Sequence, residues 1–447
     1  MPTLPPLYLP VEIKVREFKS KLLVALFACA RGYSVCLAQK DAFNKAASGL
    51  CPGIVVGKSL NEVDARHFRQ YRAYGHVVAT MDEEILVYLS RQDLVRFLSR
   101  EAIEMSGLIF APGQDAIDIL AAIDPDIAQR SRIVGLPRLD FLRPEFSLES
   151  RQRAEELRQA YGDFVLVNAN FTLGNIHMPY ERFLGILRDA GYIRTDKDEE
   201  FVLRRIEHDR RAMNAMIGLV AQLARRFPQI SFIVRPHPQE RPESYHAPLA
   251  NISNVIISPP SEAVDAWLRA AVAMLQNGCT TAIEAHELGT PILANAMVHD
   301  PVFDPYLPNA LADIVTDPED AAAWLDRILR DRPRRRWRDL LSDGHHYGHY
   351  VDRSSSKPSA ERMVDALCAW APELPATGET RLDLDAYAQT PYVAEPFHKN
   401  EFIRAKFPDT RREDVEQMID ALRRAIPSLP PVRLANPARD VFVLRPT

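Results

Sequence analysis

The strongest constraint on this chain is a pattern it uses twice: short apolar runs, each one strand long, separated by stretches long enough for a helix. In the first half, strands are predicted over 7–15, 34–39, 53–56, 76–80, 107–111 and 132–134, with helices over 19–31 and 115–122. A charged segment without strand signal, 137–159, interrupts the series and reads as linker plus helix. The pattern restarts with strands over 164–168, 230–234, 254–258, 273–276 and 291–294, and with helices over 214–227, 261–270 and 282–288. Parallel sheets with helices on both faces follow from such alternation. The predicted fold class is α/β, with two doubly wound Rossmann-like domains facing an inter-domain cleft. The expected division is 1–150, 151–370 and a tail, 371–447, with short helices over 395–405 and 411–425.

A chain of 447 residues is long enough to give each domain its own core. The net charge of −5 argues against a dedicated nucleic-acid binder. The cysteines, Cys29, Cys36, Cys51, Cys279 and Cys368, are scattered without a CxxC pair, so neither a zinc site nor a disulfide framework is expected. The apolar stretch 22–30 is about half the ~20 residues a membrane span needs. A cytoplasmic protein is expected, with at most peripheral contact with the inner membrane. No cofactor and no metal is expected, since no DxD or clustered His/Asp signature is present.

The residues with chemical potential sit where strands end. In a doubly wound sheet ligands bind beyond the carboxyl ends of the strands. Arg235 and His237, in Arg235-Pro236-His237-Pro238, leave the strand 230–234 and could hold a phosphate; a rigid loop with a surface histidine is the alternative. Gln276, Gly278, Thr280, Thr281 and Glu284 lie in QNGCTTAIE, between a strand and a helix. There backbone N–H groups and the helix N-terminus suit an anion, and Glu284 suits a ribose hydroxyl. An ordinary N-capped helix explains the same residues. The acidic turn Asp82-Glu83-Glu84 could supply a general acid or base, or could merely complement a helix dipole. Arg138 and Asp140, in GLPRLD, fit an anionic substrate and a carboxylate nucleophile or base, or else a local ion pair. Glu12 and Glu17 at the tip of the first strand, and Asn168 and Asn170 in Asn168-Ala169-Asn170-Phe171, are substrate-side candidates, although Asx-turns also explain the asparagines. The arginines at 332, 334, 335, 336 and 338 read as a solvated helix face, with docking on anionic lipid as the alternative.

These blocks, in their order PVEIKVREFKSK, VATMDEE, GLPRLD, NANF, RPHP and QNGCTTAIEAHELGTP, resemble the bacterial surface carbohydrate biosynthesis proteins related to the retaining β-Kdo transferases of capsule and O-antigen assembly. The resemblance spans about 9–367. It implies a GT-B fold and a glycosyltransferase that moves Kdo or a similar acidic sugar from a CMP-sugar to a glycan or lipid-linked glycan acceptor. It also places His237, Thr280, Thr281 and Glu284 on the nucleotide and leaves Asp82, Glu83, Glu84 and Asp140 as catalytic candidates. Ala169 stands where the family pattern carries a threonine. The residues alone leave open a CDP-alcohol-dependent polyol-phosphate transferase, a nucleotide-sugar epimerase and a non-catalytic assembly scaffold. They also leave open whether the anomeric configuration is retained or inverted.

Overall fold

The computed structural model describes residues 4–189, 191–258, 263–331, 347–370 and 406–447. The helix expected over 395–405 and the arginine run lie outside the described residues. Two compact units result.

The first unit is built on β1 (Leu7–Val11), β2 (Val35–Gln39), β3 (Ile54–Gly57), β4 (Val77–Met81), β5 (Ser106–Ala111) and β6 (Ser131–Ile133), all parallel. β1, β2 and β3 are buried along their whole length, as strands covered on both faces must be. The helix Lys14–Ala30 follows β1 and buries nearly everything from Leu22 to Cys29. A helix apolar all round must be covered all round. It packs on β1 and β2 and against the helix Ser359–Trp370.

The second unit carries β7 (Phe164–Asn168), β8 (Ser231–Arg235), β9 (Val255–Ile257), β10 (Ala273–Gln276), β11 (Ile292–Asn295) and β12 (Asp313–Val315), in the order β12-β11-β10-β7-β8-β9. Alternate side chains feed two cores. Val165, Val167, Phe232, Val234, Ala273 and Leu275 join the helices Asp196–Arg226 and Pro318–Asp331. Phe164, Leu166, Ile233 and Met274 join Leu148–Tyr161, Asp265–Ala270 and Thr281–Leu288 on the other face. This period of two is what a pleated strand imposes. Each large apolar side chain so buried stabilises the unit by roughly 1.5–3 kcal/mol. The expected helix over 214–227 is the end of a 31-residue helix whose polar start, Asp196 to Arg211, hides its period. Thr195 and Asp198 cap it reciprocally.

The chain then rejoins the first unit. The helix Arg412–Ala425 precedes a hairpin of β13 (Val432–Ala438) and β14 (Val441–Pro446), and β14 pairs antiparallel with β2. The first sheet therefore has eight strands, ordered β13-β14-β2-β1-β3-β4-β5-β6. Two groupings differ from the expected division. Residues 347–370 and 406–447 cluster with the first unit, because Asp140 anchors the helix Ser359–Trp370 and β14 completes the edge of β2. Residues 86–97 cluster with the second, where Arg96 pairs with Asp198 at 2.6 Å and the Phe97 ring lies 5.0 Å from that of Tyr192. Among the described residues no helix is long and apolar enough to cross a membrane.

Candidate functional site

In the second sheet the strand order reverses direction between β7 and β10, which are neighbours: β8 and β9 run out on one side, β11 and β12 on the other. Diverging connections leave a crevice at the carboxyl ends of such a pair. The loops after β7, β8 and β10 meet there and are tied to one another. Asn277 Oδ1 accepts from the Asn170 N–H, and Asn277 Nδ2 donates to the Asn170 carbonyl, both at 3.2 Å. Asn168 Nδ2 donates to Thr281 Oγ1 at 2.6 Å, and Thr281 donates in turn to Cys279 Sγ at 2.9 Å. Glu240, buried, accepts from the Phe171 N–H at 2.8 Å and the His237 N–H at 3.2 Å, joining the loop after β7 to the RPHP turn. Burial pushes the Glu240 pKa up, and hydrogen bonds from Tyr245, Phe171, Asn175 and His237 oppose it.

The structure sorts the expected nucleotide-side residues into two groups. Gln276 is wholly buried: its Oε1 accepts from the N–H groups of Gly278 and Cys279, and its Nε2 donates to the Pro308 carbonyl at 3.3 Å. It shapes the loop instead of facing a ligand. Gly278 is buried at φ +80°, and a Cβ there would lie 2.7 Å from Pro305. Its part is steric. Arg235 is buried, with its guanidinium 5.2 Å above the Trp267 ring, because its place on β8 directs it to the Trp267 face of the sheet. Its Nε and Nη1 are buried without a hydrogen bond among the described residues. Asn168 and Thr281 hold each other, and Asn170 accepts from the Thr172 hydroxyl.

The second group is partly exposed. His237 and Thr280 are half-buried, and Glu284 is half-buried one turn into the helix Thr281–Leu288. His237 Nδ1 accepts from the Gln239 N–H at 3.2 Å, which puts the proton of the neutral ring on Nε2. Thr280 is the N-cap residue of that helix, with no side-chain capping bond. The N-terminus of a helix carries the positive end of its dipole; here the Ala282 and Ile283 N–H groups already donate to the carbonyls of Cys279 and Thr280, both at 3.0 Å. His237, the Thr280 hydroxyl and the positive end of this helix form a set suited to a phosphate.

The first sheet reverses direction between β1 and β3, and the residues there are ionic. Glu12 meets Lys58 at 2.9 Å and Lys406 at 2.7 Å. Glu17 accepts from the Glu12 and Ile13 N–H groups, both at 3.1 Å, and pairs with Lys21 and Lys58. It caps its own helix, so it does not sit at a strand tip as expected. Burial would raise the Glu17 pKa, but Lys21 and Lys58 outweigh it and hold the carboxyl down at about 2. Burial likewise acts on Glu12, and Lys58, Lys406 and Lys40 hold it well below the usual carboxylate range.

Two expected catalytic carboxylates are anchors. Asp140 is fully buried, and its oxygens accept from the N–H groups of Ser359 (2.8 Å) and Ala360 (2.9 Å), capping the helix Ser359–Trp370 from outside its own sequence. Asp82 is buried and accepts from Ser59 Oγ (3.2 Å), the Leu60 N–H (3.0 Å) and the Glu84 N–H (3.0 Å). Burial raises its pKa to about 6. Glu84 is half exposed and pairs with Arg16 at 2.8 Å; burial raises its pKa, but Arg16, Arg138 and Lys58 prevail and hold it low. Glu83 is half-buried and lines a small pocket together with Lys58 and Met81. Arg138 is buried, and its Nε and Nη2 make no hydrogen bond to another described residue.

Sequence reasoning missed Asn277, Glu240 and Lys58. Asn277 lies inside the quoted motif, and Glu240 three residues beyond His237. Lys58 follows the apolar run of β3 directly, the position at which a strand-end ligand group stands.

Two doubly wound α/β units of this kind define the GT-B-like class of fold. The chain is similar in structure to the UDP-GlcNAc 2-epimerase of Neisseria meningitidis bound to UDP-GlcNAc, with TM-score 0.52 and 13% identity over 81% of this chain and 99% of that one. It is also similar to S. aureus MnaA in its UDP complex, with TM-score 0.50 and 11% identity over 82% of this chain and 97% of that one. No protein-family model and no curated protein matches the chain.

Proposed function

We propose that this protein is a nucleotide-sugar enzyme of bacterial surface-glycan assembly, and that it transfers an acidic sugar from a CMP-sugar to a glycan acceptor. The observation that carries the reading is the donor set at the β7–β10 reversal: His237, Thr280 and the N-terminus of the helix Thr281–Leu288, held in place by Asn277, Asn168 and Glu240. The CMP-activated acidic sugar rests on the sequence resemblance. In the transfer, the bond between the anomeric carbon and the phosphate oxygen breaks and CMP leaves with the electron pair. The acceptor oxygen forms the new bond, and its proton passes to a carboxylate. Donors already aimed at the departing phosphate stabilise the charge it develops without reorganising. With Asp82 and Asp140 occupied as anchors, Glu83 is the preferred catalytic carboxylate, and Glu84, held low by its cations, is the weaker base. Arg138 and Glu12 remain substrate-side candidates, and the domain division and inner-membrane contact belong to the same proposal.

The structural likeness to UDP-GlcNAc 2-epimerases favours a second reading, a nucleotide-sugar epimerase that needs no acceptor. Isothermal titration with CMP, CDP, UDP and GDP, repeated on His237→Ala, separates the two. Selective CMP binding weakened at least tenfold by the substitution supports the transferase. Selective UDP binding, with turnover of UDP-GlcNAc in the absence of acceptor, supports the epimerase. Binding of none of the four contradicts both.

A further inference from the structure

The second unit contains a cavity of about 310 Å³ distinct from the strand-end loops. Its wall is apolar and aromatic: Phe97, Leu173, Leu187, Tyr192, Phe201 and Val202. That volume lies at the lower end of the range for small-molecule sites, which are mostly apolar with a few placed polar groups. Here the polar groups are chiefly arginines, Arg96, Arg194 and Arg205.

The charges around the cavity are unevenly committed. Asp198, the acidic residue of the lining, is matched by Arg96 at 2.6 Å and accepts from Thr195 and the Arg194 N–H in the helix cap. Asp209 accepts from the N–H groups of Leu173 (3.0 Å) and Gly174 (2.9 Å), and Asp93 accepts from Ser90 Oγ at 2.6 Å. Arg205 is partly buried and makes no hydrogen bond or ion pair with another described residue; Asp209 and Asp93 act on it only through their charge. Burial pulls its pKa below the usual guanidinium value, against those two carboxylates. A partly buried guanidinium on an apolar wall without a direct partner in the protein is left to water or to an anionic ligand.

We propose that this cavity binds an anionic amphiphile: an apolar chain seated among Phe97, Leu173, Tyr192 and Phe201, with a terminal phosphate held by Arg205 and flanked by Arg194. A guanidinium fork suits a phosphate through two parallel N–H···O bonds. The site does not depend on the nucleotide reading, since its residues are not those of the phosphate-donor set.

The test is isothermal titration of the full chain with geranyl phosphate, decyl phosphate, geraniol and inorganic phosphate. One or both chain phosphates bind at least tenfold more tightly than geraniol and inorganic phosphate; the preferred one tells a branched prenyl chain from a straight alkyl one. Arg205→Met lowers that affinity at least tenfold, and Val202→Trp, which fills the cavity, abolishes it. Both variants keep the circular-dichroism spectrum and the cooperative melting of the wild type, which shows that they are folded. Chain phosphates that bind no better than geraniol or inorganic phosphate overturn the proposal. So does affinity that survives Val202→Trp, whether or not Arg205→Met is stable.

Discussion

At the scale of single residues, the carboxylates divide into anchors and candidates, and the anchors make sharp predictions. Asp140→Ala leaves two helix N–H groups unsatisfied in a buried place and costs roughly 1–3 kcal/mol in denaturant unfolding. Activity per folded molecule is expected to stay near wild type; loss of turnover in a fully folded variant would restore the catalytic role. Asp82 predicts a pH dependence. Its pKa is raised from 3.8 to about 6 in the folded protein, so between these values the folded state keeps a proton that the unfolded chain releases. Stability from this group is complete below the lower value and falls by roughly 1–3 kcal/mol as pH rises through the window. Asp82→Asn removes that fall, which denaturant titrations from pH 4 to 7 measure; parallel curves for the two proteins would contradict it. The sequence showed which residue types gather at strand ends, but could not separate anchors from candidates. Asp140 meets its partners 219 and 220 positions away, and no local spacing reports a contact of that range. The opposite holds for Asn277 and Glu240, which lie within or beside the quoted motifs and whose bonds appear only when three loops converge.

At the scale of elements, most strands of both sheets were legible, because buried parallel strands are apolar runs of limited length. FVLVN and AMLQ coincide with β7 and β10. The hairpin was not legible. Its first strand, VRLANPA, is half-exposed, mixed in character and carries a proline, so it reads as tail. Yet Val441, Phe442, Val443 and Leu444 are fully buried. Truncation after position 430 therefore strips the edge of β2, and the shortened chain is expected to aggregate in a solubility assay. A soluble, cooperatively melting truncation would contradict this. The loop after β10 predicts a local effect: Gly278→Ala combines a positive φ with a 2.7 Å approach to Pro305. It should cost about 1–3 kcal/mol and weaken nucleotide binding at least tenfold. Unchanged nucleotide affinity would show that the loop is not part of the site.

At the scale of the whole molecule, two sheets of different make-up show the same device, a reversal of strand order with polar loops at the carboxyl ends. The first presents ion pairs around Glu12, Glu17 and Lys58; the second presents neutral donors around His237 and Thr280. That asymmetry supports the proposal that the nucleotide phosphate binds the second unit. Hydrogen–deuterium exchange of the full chain with and without saturating CMP tests this most directly. The account predicts new protection over 168–174, 235–240 and 276–285, with the peptides around Glu12 and Lys58 unchanged. Protection around Glu12 and Lys58, with none at the loops after β7, β8 and β10, would contradict it.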